Sequence, residues 1–231
     1  YYFLRLNGTA TYRFQYGSTV VDFDAADNRW NHIAVSRSSG TTKIFVNGKQ
    51  TNSFSDSTNG STGTLRLSTF RDTTGSSSDY GFGGQLSNFR IVKGTALYTK
   101  NFTPPTASLT NVTNTKLLCC QSNTSASDSE VTPSNQITVN NNSGTVGAYA
   151  PTGLTGGIDF PGEQGNTDNS NGMYLSTPDT SFSGNYTIEF WFNVDALKDN
   201  GGGDYGSVFF DGRPTDTNAD NVFGSIYGFN N

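Results

Sequence analysis

A chain of 231 residues is long enough for one large all-β domain or two small ones, with a substantial core either way. Charged residues make up 14%, the net charge is -5 and the pI lies near 4.7, so no basic surface is offered to a phosphate backbone and nucleic acid is not an expected partner. No window approaches the ~18 consecutive apolar residues of a membrane helix, so no membrane span is expected.

Period-two alternation between turn signals recurs along the chain, and helical periodicity is scarce. Strands are expected at Tyr1–Leu6, Thr11–Tyr16, Thr19–Phe23, Asn31–Arg37, Lys43–Asn47, Thr64–Ser68, Gly83–Lys93 and Lys116–Gln121. They resume at Gly157–Phe160, Met173–Thr177, Tyr186–Val194, Ser207–Asp211 and Phe223–Phe229. The fold class is therefore all-β, a two-sheet antiparallel sandwich of the jelly-roll kind. The Ser/Thr/Asn-rich stretch 122–154 reads as a linker with at most one short strand at Ile137–Val139, or as a disordered segment. Cys119 and Cys120 are adjacent, so no ordinary loop-closing disulfide joins them; neighbouring strand positions face opposite ways, and both read as free, half-buried thiols.

The segment WNHIAVSR, followed after a turn by KIFVNGK, places Trp30, His32 and Ala34 on one strand face and Ile33 and Val35 on the other, with Asn47-Gly48 as the hairpin signal. It resembles the central hairpin of laminin G-like, concanavalin A-like β-sandwiches. GGQLSNFRIVKGTALYT from Gly83 is similar to a late strand of that family, NYTIEFWFNVD from Asn185 to an early strand, and GIDFPG before MYLSTPDTSF to its entry strands. Early strands thus come last in the chain and late strands first. The resemblance implies a C-terminal part of a sandwich at 1–121, the linker 122–154 and an N-terminal part at 155–231, the whole cut mid-domain from a tandem or polymeric array. The last part belongs either to the next repeat or to the same sandwich, closed as a circular permutation. A narrower stretch, Asn101–Glu130, resembles the segment C-terminal to such domains in structural proteins of marine bacteriophages, cyanophages especially.

The chemistry of the residues argues against an enzyme. Glu occurs only at 130, 163 and 189, and the strand around Glu189 offers no second carboxylate two residues away for glycosidase chemistry. Glu189 reads as a solvated or hydrogen-bonded strand residue. No G-x-S-x-G elbow accompanies His32, which reads as a packed strand residue. Zinc is disfavoured by one histidine and two cysteines that cannot both point inward. Calcium is the ion the resemblance implies, held at a sandwich rim by carboxylates and carbonyls. Candidate ligands are Asp211, Asp216 and Asp220, with Asp22, Asp24 and Asp27 as a second cluster, against turn-building as the alternative for both. For a glycan, an aromatic plate beside amides is sought, and Tyr80, Phe82, Tyr205 and Tyr227 are candidates, with Phe229 nearby. The expected function is a non-enzymatic extracellular or virion-surface module of a fibre or appendage. Its partners would be other copies of itself and cell-surface glycans. A bacterial surface adhesin or filament subunit, and a glycan-active enzyme on the same fold, are the alternatives.

Overall fold

The computed structural model describes residues 2–5, 11–16, 19–57, 59–60, 63–68, 83–133, 136–140, 144–162, 173–178, 182–194 and 207–212. Sixteen strands are described: β1 (Tyr2–Arg5), β2 (Thr11–Tyr16), β3 (Thr19–Asp24), β4 (Asn31–Ser38), β5 (Thr41–Val46), β6 (Lys49–Ser55), β7 (Leu65–Leu67) and β8 (Gly83–Lys93), then β9 (Thr115–Cys119), β10 (Ser129–Val131), β11 (Thr138–Asn140), β12 (Thr145–Gly147), β13 (Gly157–Pro161), β14 (Tyr174–Thr177), β15 (Tyr186–Val194) and β16 (Ser207–Asp211). No α-helix occurs among the described residues.

The strands form a two-sheet antiparallel sandwich of the jelly-roll kind. One sheet has the order β11-β14-β7-β16-β1-β2-β3, the other β10-β9-β8-β15-β4-β5-β6. β13 pairs with residues 83–86 of β8, end to end with β9, which pairs with residues 89–92 on the same side, and β12 pairs with β13. β15 lies between β4 and β8, and β16 between β7 and β1. Strands from the last third of the chain are thus central in both sheets. The expected strand at Phe223–Phe229 lies outside the described residues.

Alternation sets the core. On β15, Tyr186, Ile188, Phe190 and Phe192 point between the sheets and are fully buried, beside Ile33 and Val35 of β4. Across the gap they meet Phe209 and Phe210 of β16 and Tyr12 of β2, with Phe192 and Phe209 rings 5.0 Å apart and tilted edge to face. β8 carries a bulge at Asn88, whose φ of 55° is tolerated by an asparagine; the extra residue lets Leu86 and Phe89, three positions apart, both face the core.

Two expectations change here. The stretch 122–154 carries the expected short strand as β11, and also β10 and β12, all paired to the sandwich, and Ala126 is in the core. Its low aromatic content hid this, because strands this short on a sheet margin draw their stability from the strand they pair with. Cys119 and Cys120 do not face opposite ways: both are buried in the core, since Cys120 has a φ of 61° and leaves the strand alternation. The edge strand β6 was also not expected, because its sequence KQTNSFS is almost wholly polar.

Candidate functional site

The two outer faces of the sandwich differ. On the nine-stranded sheet, His32, Ala34 and Ser36 of β4, Phe45 of β5, Arg90 of β8 and Thr187 and Glu189 of β15 point away from the core, yet all are buried. What covers them is the connection between β8 and β9, residues 94–114, an irregular strap laid across that face. Its two ends meet where the Lys93 amide donates to the Asn114 carbonyl at 3.0 Å. Between them, the Phe102 amide donates to Gly48 O at 2.9 Å, Leu97 N to Thr187 Oγ1 at 2.8 Å, and Leu109 N to Asn88 Oδ1 at 2.8 Å. Lys43 Nζ donates to Thr99 O at 2.7 Å. Tyr98 and Phe102 stack with centroids 3.7 Å apart, and both meet the ring of His32 edge on.

Glu189 is the centre of the covered face. Its Oε1 accepts from Arg90 Nε at 2.9 Å and Nη2 at 2.6 Å; its Oε2 accepts from the Tyr98 hydroxyl at 2.8 Å and from His32 Nε2 at 3.3 Å. Arg90 Nη1 continues to the strap carbonyl of Thr110 at 2.7 Å. Burial alone would raise the Glu189 carboxyl, but the His32 hydrogen bond and the Arg90 charge outweigh it and hold it below the usual carboxylate range. Burial, then the charge and hydrogen bond of Glu189, push the Tyr98 phenol up, so it stays a neutral donor. A carboxylate only accepts, so His32 Nε2 carries a proton. His32 Nδ1 has no hydrogen-bond partner among the described residues, and no nucleophile is placed on it. His32 and Glu189 are thus hydrogen-bonded strand residues. Glu189 is sealed under the strap rather than solvated, which no feature of its own strand could indicate.

The seven-stranded sheet has the opposite character. Its outward positions on β2, β3, β7, β11 and β14 are exposed or half-buried. Strand register lines up one row across the whole sheet: Thr138, Ser176, Arg66, Asp211, Tyr2, Gln15 and Val20. Next to this row, Arg13 grips Asp22 with two bonds, Nε to Oδ1 at 2.7 Å and Nη2 to Oδ2 at 2.8 Å. Asn140 Nδ2 donates to Ser176 Oγ at 3.2 Å, with half-buried Tyr174 opposite Asn140 in register. Among the described side chains this face presents donors and acceptors, with the half-buried Tyr174 ring at its margin.

The sequence-predicted site residues fall unevenly on this frame. Asp211 closes β16 and is buried, opposite Arg66 in register. Asp216, Asp220, Tyr80, Phe82, Tyr205, Tyr227 and Phe229 lie outside the described residues. Asp22 and Asp24 do alternate on the outward face of β3, a pairing not expected from the carboxylate pattern around Glu189. Asp22 is taken by Arg13; Asp24 accepts from Thr11 Oγ1 at 3.1 Å and Asp27 from the Tyr12 hydroxyl at 2.9 Å. Among the described residues no group of three or more His, Cys, Asp or Glu is close enough to hold a metal ion. Arg13 was not singled out from the sequence; the signal available was a cation inside the alternating strand TYRFQY, opposite the acidic strand TVVDFD.

The strap thus covers the outer face of one sheet, while on the other the described outward positions of β2, β3, β7, β11 and β14 are exposed or half-buried and Asp211 of β16 is buried. Residues 1–98 match the family model of the concanavalin A-like lectin/glucanases superfamily, a laminin G model. No curated protein and no solved structure matches the chain. The matched span takes in β1 to β8 and the start of the strap, which supports the laminin G-like resemblance there; β9 to β16 lie beyond it.

Proposed function

We propose that the chain is a non-enzymatic binding and structural module that uses the outer face of the seven-stranded sheet to hold glycans. The observation that carries this is the contrast between the faces. The strap occupies the outer face of one sheet, whereas the row from Thr138 to Val20 crosses the other with the partly exposed Ser176, Arg66 and Gln15 side chains at positions a sugar's hydroxyls would meet. Glu189, the strongest carboxylate candidate for acid–base chemistry, is committed to Arg90, Tyr98 and His32 in the interior, which supports binding over turnover. A weak site of this kind gains strength when repeated, by effective concentration rather than by tight single contacts. That suits a fibre or appendage outside a cell or on a virion, the context the Asn101–Glu130 resemblance suggests. Calcium, if used, would draw on Asp211, Asp216 and Asp220.

Assembly of copies has its own support. β3 and β6 are the margins of the two sheets on one side, and Val20 on β3 is 46% exposed, a large apolar side chain on an edge strand that a neighbouring copy's strand could cover.

A glycan array on the intact chain, repeated with Arg13→Ala, tests the binding reading. Arg13 and Asp22 are partly exposed, so their loss costs less than about 1 kcal/mol of stability. The expected result is retained folding with about tenfold weaker binding to the array's hits, equivalent to about 1.4 kcal/mol. Binding unchanged by Arg13→Ala would move the site off this face, and no hits at all would leave assembly as the function.

A further inference from the structure

The turn at the end of β9 has an uncommon backbone. Among the described residues the non-glycine positions with positive φ are Asn28, Ser39, Asn47, Ser68, Asn88, Asn114 and Cys120. Asparagine and serine stabilise such conformations with their own short polar side chains; a cysteine does not. Cys120 is held there by the Asn88 amide, which donates to its carbonyl at 2.9 Å. The consequence is that two adjacent side chains, which an extended strand would send to opposite faces, share one side with their sulfurs 3.6 Å apart. A left-handed residue costs about 1–3 kcal/mol.

Cys119 also forms part of the wall of a narrow cleft between the sheets, lined by Leu65, Leu67, Leu117, Leu175 and Thr177 among others, with space for about one water-sized molecule. Thr177 is 4% exposed, and its hydroxyl has no hydrogen-bond partner among the described residues. A buried hydroxyl left without a partner in an apolar cleft marks a place where a small polar molecule gains a hydrogen bond.

We propose that Cys119 and Cys120 are a peroxide-oxidisable vicinal dithiol, reached by hydrogen peroxide through this cleft and closing to a disulfide between neighbouring residues. Peroxide, one oxygen larger than water, is a small polar oxidant to which the unpartnered Thr177 hydroxyl can bond. The Cys119 sulfur attacks one peroxide oxygen while its proton passes to the departing oxygen; the O–O bond breaks, water leaves, and Cys119 becomes a sulfenic acid. The Cys120 sulfur then displaces the sulfenic hydroxyl, the S–S bond forms, and Cys120's proton leaves with that hydroxyl as water. Two thiols and one peroxide give one disulfide and two waters. Cys119 lines the cleft and meets the oxidant first, and Cys120, in contact with it, is the member that resolves.

The test treats the full chain with hydrogen peroxide or, in parallel, with glutathione disulfide, which is far larger than the cleft. Remaining thiols are then alkylated under denaturing conditions, and the mass of the Cys119–Cys120 peptide is read. The expected result is a peroxide product about 2 Da lighter than the reduced peptide and free of alkyl label, with glutathione disulfide leaving both thiols open to label. Cys120→Ser should stop at a sulfenic acid on Cys119, trapped by dimedone; the wild-type mass carries the test if that variant does not fold. Full labelling of both cysteines after peroxide, sulfinic acid as the wild-type product, or a disulfide between chains would overturn the proposal. Equal oxidation by glutathione disulfide would overturn the cleft as the route.

Discussion

Glu189 shows how far a single residue's role depends on what lies above it. Its folded carboxyl is held below the ordinary value, so the folded state favours the ionised form. The stability this contributes is fully present above the ordinary carboxylate range and is lost as pH falls through the folded value. Glu189→Gln removes the carboxylate while leaving Arg90 buried, and an uncompensated buried charge costs about 3–5 kcal/mol. We expect the variant to melt well below the parent at neutral pH and to show a flatter acid limb, measured by thermal unfolding across pH. Equal melting at neutral pH would mean the cluster contributes nothing to folding. Much of this residue-scale picture was legible in the sequence: the Trp30, His32, Ala34 spacing put His32 on one strand face as a packed residue. Its partner was not legible, because Glu189 is 157 positions away and reaches His32 only through the pairing of β15 with β4.

The strap depends on the β5–β6 hairpin beneath it. Gly48 sits at φ 78° in the Asn47-Gly48 turn that the sequence announced, and a Cβ there would collide with the Phe102 carbonyl and press on Pro104. Gly48→Ala therefore strains the turn and lifts the strap from the same point. The expected loss is more than about 1 kcal/mol in thermal or denaturant unfolding, with faster exchange of the Phe102 amide. A variant as stable as the parent, with Phe102 still protected, would mean that the strap is not anchored at this turn. At this scale, strands with strong alternation were read correctly and nearly to the residue, as for β4, β8 and β15. The strap was not. TALYTKNFTPPTASL carries no period, because its side chains and amides bond to the sheet beneath it rather than to a repeating ladder, and no local pattern encodes that target.

At the scale of the whole molecule, both sheets take central strands from the far end of the chain. β15 is hydrogen-bonded to β4 on one side and to β8 on the other, and it carries the aromatic row of the core. The strands that the far end of the chain contributes were visible in the sequence as alternation at Tyr186–Val194 and Ser207–Asp211. What sequence could not decide was whether the second part completes the first within one chain or in a neighbour, because the same residues pair identically in either case. The most direct measurement is hydrogen exchange of the β15 amides, Tyr186 to Val194, followed over a wide range of protein concentration. If each chain closes its own sandwich, these amides exchange as slowly as those of β4 and β8, at a rate that does not change on dilution. If their protection falls as the protein is diluted, β15 is supplied by another copy, and the single-chain sandwich is contradicted.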